Sequence, residues 1–206
     1  MTEDAVSLQT VELKKDQPIL LFASADAWDV WLAEHHADSN GVWVKLAKKG
    51  SGIASIKHLD ALDVALCHGW IDGQGSVYDD DFWLVRFSPR TARSRWSRVN
   101  QGKVAVLIKA GRMRPAGLAA IEAAKADGRW DAAHESQATS TVPDDLQQAL
   151  DENPQAASVF ATLNKGNRFA ILLQVGAAKK PETRAARIAK FVAKLSDGET
   201  VFTSPR

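Results

Sequence analysis

Arg86, Arg90, Arg93, Arg95 and Arg98 crowd one short stretch, with Trp83 and Trp96 interleaved. From Arg86 to Arg114 the chain holds nine Lys/Arg and no Asp or Glu, although its formal net charge is only +1. Unpaired like charges repel, so such an excess needs acidic partners, solvent or an anionic ligand. Guanidinium is favoured where a planar cation meets a carboxylate, a phosphate or an aromatic face. Just upstream, Trp70 to Tyr78 and Phe82 to Ser88 read as a hairpin around Asp79-Asp80-Asp81. A turn centred on Asp80 places Gln74 opposite Arg86, Asp72 opposite Ser88 and Trp70 opposite Arg90. Side chains alternate along a strand, so Asp72, Gln74, Arg86 and Ser88 then share one polar face. An aspartate between arginines is held ionised, and the remaining guanidinium donors could clamp a carboxylate or phosphate. The same residues could equally form a structural ion-pair network. A one-residue slip in register would dissolve the arrangement.

Other chemistry-bearing residues offer less. Cys67 and His68 are nucleophile and base by type, but neighbours on a helix project about 100° apart, so a dyad would need a distant histidine such as His58. A packed helix-end cysteine is the plainer reading. His35-His36 lacks the spacing that puts two imidazoles on one helix face, there is no C-x-x-C, and the three aspartates lack EF-hand spacing, so no metal is expected. Gly73-Gln74-Gly75 follows a helix and sits in a strand, the reverse of the dinucleotide fingerprint, and no cofactor is expected. Interleaved Arg and Trp could serve single-stranded nucleic acid, but a nearly neutral chain disfavours that partner. The last helical run sets Ile188, Phe191, Val192 and Leu195 against Arg184, Arg187, Lys190 and Lys194. That pattern fits a lipid surface or, more plainly, a solvated face over a core stripe.

The elements that must position these groups follow from periodicity. A 45% hydrophobic chain with seven Trp can build a substantial core. No stretch is apolar for the length of a membrane span. Met1 to Asp16 is polar and lacks the apolar run of a secretory signal, and a single cysteine fits a reducing compartment, so a cytoplasmic location is expected. Residues 1–16 read as a disordered lead-in. Gln17 to Phe22 and Gly41 to Ala47 read as strands flanking a helix that Ser24 caps. A further helix over 56–68 stops at Gly69. Helices follow over 96–110 and from Pro115 to about Ala126. Residues 129–142 lose periodicity and read as a linker, and residues 143–196 are helical throughout, ahead of a tail over 197–206. Strands first and helices later predict an α+β fold: a small, mainly antiparallel sheet with packed helices over 17–128, then the C-terminal helical segment.

Several segments together carry a resemblance: Leu66-Cys67-His68-Gly69-Trp70-Ile71-Asp72-Gly73, Arg86-Phe87-Ser88-Pro89-Arg90, Ser94-Arg95-Trp96-Ser97-Arg98-Val99-Asn100, Gly111-Arg112-Met113 and Ala178-Lys179-Lys180-Pro181-Glu182-Thr183-Arg184. In this order they resemble the bacterial YdeI/OmpD-associated proteins, over about residues 17 to 196. The resemblance implies a role in bacteriocin protection and an association with an outer-membrane porin. It implies functional polar positions at Asp72, Arg86, Arg90, Ser94, Trp96, Ser97 and Asn100. His68 stands where an aromatic is usual in the family, and Gly75 where a basic residue is.

The expected function is therefore bacteriocin or antimicrobial-peptide protection. It would work by binding a small anionic ligand or a protein partner through Asp72, Gln74, Arg86, Arg90, Ser94, Trp96, Ser97 and Asn100. An enzyme acting on a phosphorylated or carboxylated metabolite, with Asp72 as acid/base, is the alternative. Nucleic-acid binding ranks third. An exposed face of the C-terminal helices could serve as a homodimer interface.

Overall fold

The structure, a computed structural model, describes residues 12–137 and 139–199. Residues up to Trp96 together with Asn100–Ala132 form one compact unit, and Ser97–Val99 with the chain from Ala133 form a second.

The first unit is built on a five-stranded sheet: β1 (Leu13–Lys14), β2 (Gln17–Leu21), β3 (Val42–Ala47), β4 (Trp70–Val77) and β5 (Phe82–Pro89), in the spatial order β1-β2-β3-β5-β4. The β2–β3 pair is parallel and the others are antiparallel. A parallel pair needs a crossover, which α1 (Ala25–His35) supplies. Ser24 caps α1 by accepting from the Ala27 N–H at 3.2 Å, and Trp28 and Leu32 are its buried side chains. The α+β class and mainly antiparallel sheet expected from the sequence are those observed.

Both faces of β3 are covered. Val42, Val44 and Leu46 pair with Phe87, Val85 and Trp83 on the inner face, where Phe87 meets the Trp28 ring at 5.6 Å. On the outer face Trp43 and Leu84 join Ile19 in a smaller core that Tyr78 flanks. The backbone of β1 completes that core, since the Lys14 carbonyl accepts from Trp43 Nε1 at 3.0 Å. The lead-in expected to be disordered over 1–16 is therefore corrected at its end: Leu13 and Lys14 pair with Pro18 and Gln17. Lys15 and Asp16 make the turn with positive φ. Residues 1–11 lie outside the described residues, as do 200–206 of the expected tail.

Two glycines let α2 (His58–Cys67) and α4 (Pro115–Ala126) approach closely. Gly69 ends α2 at φ +75°, and a Cβ there would lie 2.8 Å from the Ala116 carbonyl. A Cβ on Gly117 would lie 2.2 Å from the Cys67 carbonyl oxygen. Between them in sequence, α3 runs Arg98–Lys109. The expected linker is partly packed, for the Trp130 ring lies 4.8 Å from that of Trp96.

The second unit holds α5 (Asp144–Asp151), α6 (Pro154–Thr162), α7 (Lys165–Gly176) and α8 (Pro181–Ser196). Asn153 and Asn164 cap α6 and α7 through their side-chain oxygens. The apolar stripe of α8 (Ile188, Phe191, Leu195) enters a core with Leu146, Phe160 and Ile171. Its basic face is tied down locally: Arg184 forms a two-pronged pair with Asp145, and Arg187 donates to the Gln174 carbonyl at 2.5 Å. Among the described residues no helix is long and apolar enough to cross a membrane.

Candidate functional site

The hairpin decides which side chains meet. Its turn is closed by Asp79, whose Oδ1 accepts the N–H groups of Asp81 and Phe82 at 2.9 and 2.7 Å. Next to the turn the register is the expected one: Gly75, Ser76 and Val77 pair with Val85, Leu84 and Trp83. Between Asp72 and Gly75 the register shifts, so that Trp70, Ile71 and Asp72 pair with Pro89, Ser88 and Phe87. Asp72 thus shares a face with buried Phe87 rather than with Arg86 and Ser88. The shared polar face expected of Asp72, Gln74, Arg86 and Ser88 does not form. The physical reason is an extra residue in β4, accommodated where Gly73 and Gly75 flank Gln74; a bulge re-aims every side chain beyond it.

The bulge divides the expected site residues into two groups. On the outer face, Arg86 is half-buried and anchored by neutral acceptors: its Nε donates to Gln17 Oε1 at 2.7 Å and its Nη2 to the Asn40 carbonyl at 3.2 Å. Gln17 Nε2 donates to the same carbonyl at 3.1 Å. Gly41, at φ +143°, leaves room for this arrangement; a Cβ there would lie 2.7 Å from Gln17 Nε2 and 3.0 Å from Arg86 Nη2. Lys15 Nζ approaches Gln74 Oε1 at 3.4 Å. Lys15, Gln17, Gln74 and Arg86 line a cavity of about 330 Å³. Among the described residues neither Lys15 nor Arg86 forms an ion pair, whereas Arg114, Arg129 and Arg184 pair with Asp29, Asp127 and Asp145. An anchored guanidinium and a lysine lining one cavity can hold an oxyanion.

On the inner side, Asp72 Oδ2 lies 2.9 Å from His58 Nε2. Arg90 stacks on the Trp96 ring at 3.7 Å, and its Nη1 donates to the Arg95 carbonyl at 3.1 Å. Its buried Nε and Nη2, and Trp96 Nε1, have no acceptor among the described residues. Burial strips hydration from this guanidinium and brings its pKa down to about 10, with Asp72 opposing and Arg129 adding to the shift. It remains a cation at neutral pH. Ser94 Oγ accepts the Thr91 N–H at 3.0 Å, and Arg129 Nη1 donates to the carbonyls of Thr91 and Ser94. Arg90, Ser94 and Trp96 therefore brace the loop after β5. Asn100 lies in the first turn of α3, Ser97 falls in the second unit, and both are engaged in contacts.

Cys67 is buried, and burial pushes its thiol up in pKa. His68, itself buried, meets Asp29 rather than the thiol, with Nε2 at 2.7 Å from Oδ1. Arg114 Nη2 holds the other Asp29 oxygen at 2.8 Å. Burial alone would raise the Asp29 carboxyl, but the bonds from His68 and Arg114 outweigh it and hold the group below the usual range. Sequence reasoning missed this triad and the partner of Asp72, because neither Asp29 nor His58 stands near its partner in sequence. It also missed Lys15 and Gln17, whose place depends on the short β1–β2 turn.

Comparison with known proteins divides the chain in two. Residues 20–120 match a family described as "Domain of unknown function (DUF8412)". Residues 139–198 match the family described as "Bacteriocin-protection, YdeI or OmpD-Associated". A stretch of 58 residues is 36% identical to the "Uncharacterized protein YdeI" of Bacillus subtilis (strain 168), covering 28% of this chain and 29% of that protein. The match thus spans less than a third of that relative's length. No solved structure matches. The segments around Asp72, Arg86 and Trp96 fall in the first matched region and Ala178–Arg184 in the second. Residues 139–198 are thus similar to the YdeI/OmpD-associated family.

Proposed function

We propose that this chain serves in bacteriocin protection and that its first unit binds a small anionic ligand on the outer sheet face, in the cavity lined by Lys15, Gln17, Gln74 and Arg86. The protective role rests on the family's description. The anion class rests on one observation: Arg86 and Lys15 line a common cavity while, among the described residues, no carboxylate pairs with either. Arg86 is held by Gln17 and the Asn40 carbonyl, so little side-chain freedom is lost when an oxyanion docks.

A thermal-shift panel of nucleotides, sugar phosphates and carboxylates tests this on wild type, Arg86→Ala and Lys15→Gln. A ligand at a hundredfold excess over its Kd stabilises by about 2.7 kcal/mol, a shift of about 5 °C or more for a chain of this size. The expected result is a shift in wild type that both variants diminish. Lys15 is exposed, so its variant keeps the comparison clean where Arg86→Ala also lowers the basal melting temperature. A shift that is undiminished in both variants, or none with any anion, overturns the proposal.

A further inference from the structure

A second polar cavity opens where the loop over residues 48–57 leads from β3 into α2. Its volume is about 320 Å³, and its lining includes Lys48, Ser51, Ser55, Lys57, His58 and Trp83. Trp83 belongs to the inner sheet face, so this cavity is separate from the Arg86 cavity on the outer face.

His58 is the group best placed for chemistry here. Its Nε2 lies 2.9 Å from Asp72 Oδ2, and the two side chains are 33% and 26% exposed. The ring also packs against Trp83 at 5.6 Å and Phe87 at 6.4 Å. A carboxylate on one imidazole nitrogen fixes the orientation and tautomer of the ring, so the neutral form carries its proton on Nε2 and offers a lone pair at Nδ1. Nδ1 has no hydrogen-bond partner among the described residues. Ser55 Oγ is already occupied, accepting from Ala47 N–H and donating to the Ile56 carbonyl, so it is no nucleophile for this histidine. Lys48 Nζ donates to the Asp79 carbonyl at 2.7 Å, while the Lys57 ammonium has no partner among the described residues.

We propose that this cavity binds a small oxyanion-bearing molecule, a phosphate monoester or a carboxylate, with His58 as its proton-carrying donor and Asp72 as the residue that positions the ring. On binding, Nδ1 takes a proton from solvent and donates it in a hydrogen bond to the oxyanion, and the imidazolium is stabilised from its other side by Asp72. The site is independent of the Arg86 cavity. Its charged surroundings are Asp72 from β4 and Lys48 and Lys57 from the loop, while β5 contributes only the rings of Trp83 and Phe87. Arg90 acts through space on Asp72. The bound state carries a protonated His58, so binding takes up a proton and affinity falls as pH rises.

Sulfate is the probe, because its own charge is constant over the pH values compared. The titration is followed by NMR at the His58 ring in an Arg86→Ala background, so that the outer cavity contributes nothing. The expected result is saturable movement of the ring resonances, with binding about tenfold tighter at about pH 5.5 than at about pH 8. His58→Gln should leave weak, pH-independent binding, and Lys57→Gln should weaken binding at both pH values. Asp72→Asn should mix the ring tautomers, visible in the two ring nitrogen shifts, which a merely structural aspartate would not do. Sulfate that leaves the His58 resonances unmoved at both pH values, or a pH dependence that persists in His58→Gln, overturns the proposal.

Discussion

Arg86 and Arg90 stand four positions apart and meet opposite fates. Arg90 is buried against Trp96 and gives one donor to the loop that it helps to shape. Arg86 is anchored by neutral acceptors and, among the described residues, has no ion pair at its cavity. Counting charges along the chain finds both, but only the fold tells them apart. Asp29 shows how local chemistry becomes a pH dependence. A carboxyl whose pKa is lower in the fold than in the unfolded chain contributes stability above the unfolded value of about 3.9, and that contribution is lost as pH falls through the folded value. Asp29→Asn should therefore be less stable than wild type at neutral pH, with a gap that narrows on acidification. Urea unfolding at neutral pH and at the lowest pH where the protein stays folded measures this. A gap that stays constant would mean that the bonds from His68 and Arg114 do not depend on the charge.

At the scale of elements, most helices were legible and the details of pairing were not. Ser24 announced a helix start, Pro115 the first turn of α4 and Gly69 the end of α2, because each signal is local. The bulge in β4 was not legible, since a period-two reading carries one register along the whole strand. Gly73 and Gly75 around Gln74 were the signal that could have revealed it. The strand β1 is only two residues long and has no periodicity to read. The closeness of α2 and α4 was equally hidden, because Gly117 looks like any helical glycine until Cys67 is seen against it. Gly117→Ala should destabilise by at least the ~1–3 kcal/mol of an overpacked core, since the obstacle is a backbone carbonyl that cannot rotate away. Gly102→Ala in α3 meets nothing within 4 Å and should instead stabilise by about 0.5–1 kcal/mol. Denaturant unfolding of the two variants checks the contrast, and equal effects would contradict it.

Across the whole molecule, the basic stretch from Arg86 to Arg114 resolves into several separate fates. Lys103 pairs with Asp63 and Arg114 with Asp29, acids that stand well upstream in sequence. Trp96 is buried and cannot stack a base. Part of the charge excess that is prominent in sequence thus holds the first unit together, part of it (Arg93, Lys109 and Arg112) is exposed, and Arg86 lines a small cavity. The helical second unit carries the YdeI/OmpD-associated match and the first unit the match to a domain of unknown function, and both candidate sites lie in the first unit.

The central claim is that Lys15 and Arg86 bind an anion on the outer sheet face. Its most direct test is an NMR titration of wild type with inorganic phosphate, following the Arg86 Nε–H and the backbone amides of Lys15, Gln17 and Gln74. Saturable shifts centred on these groups are expected in wild type, and the three amides should not shift in Arg86→Ala. Phosphate that leaves them unmoved, or moves the amides of Lys15, Gln17 and Gln74 equally in the variant, would contradict it.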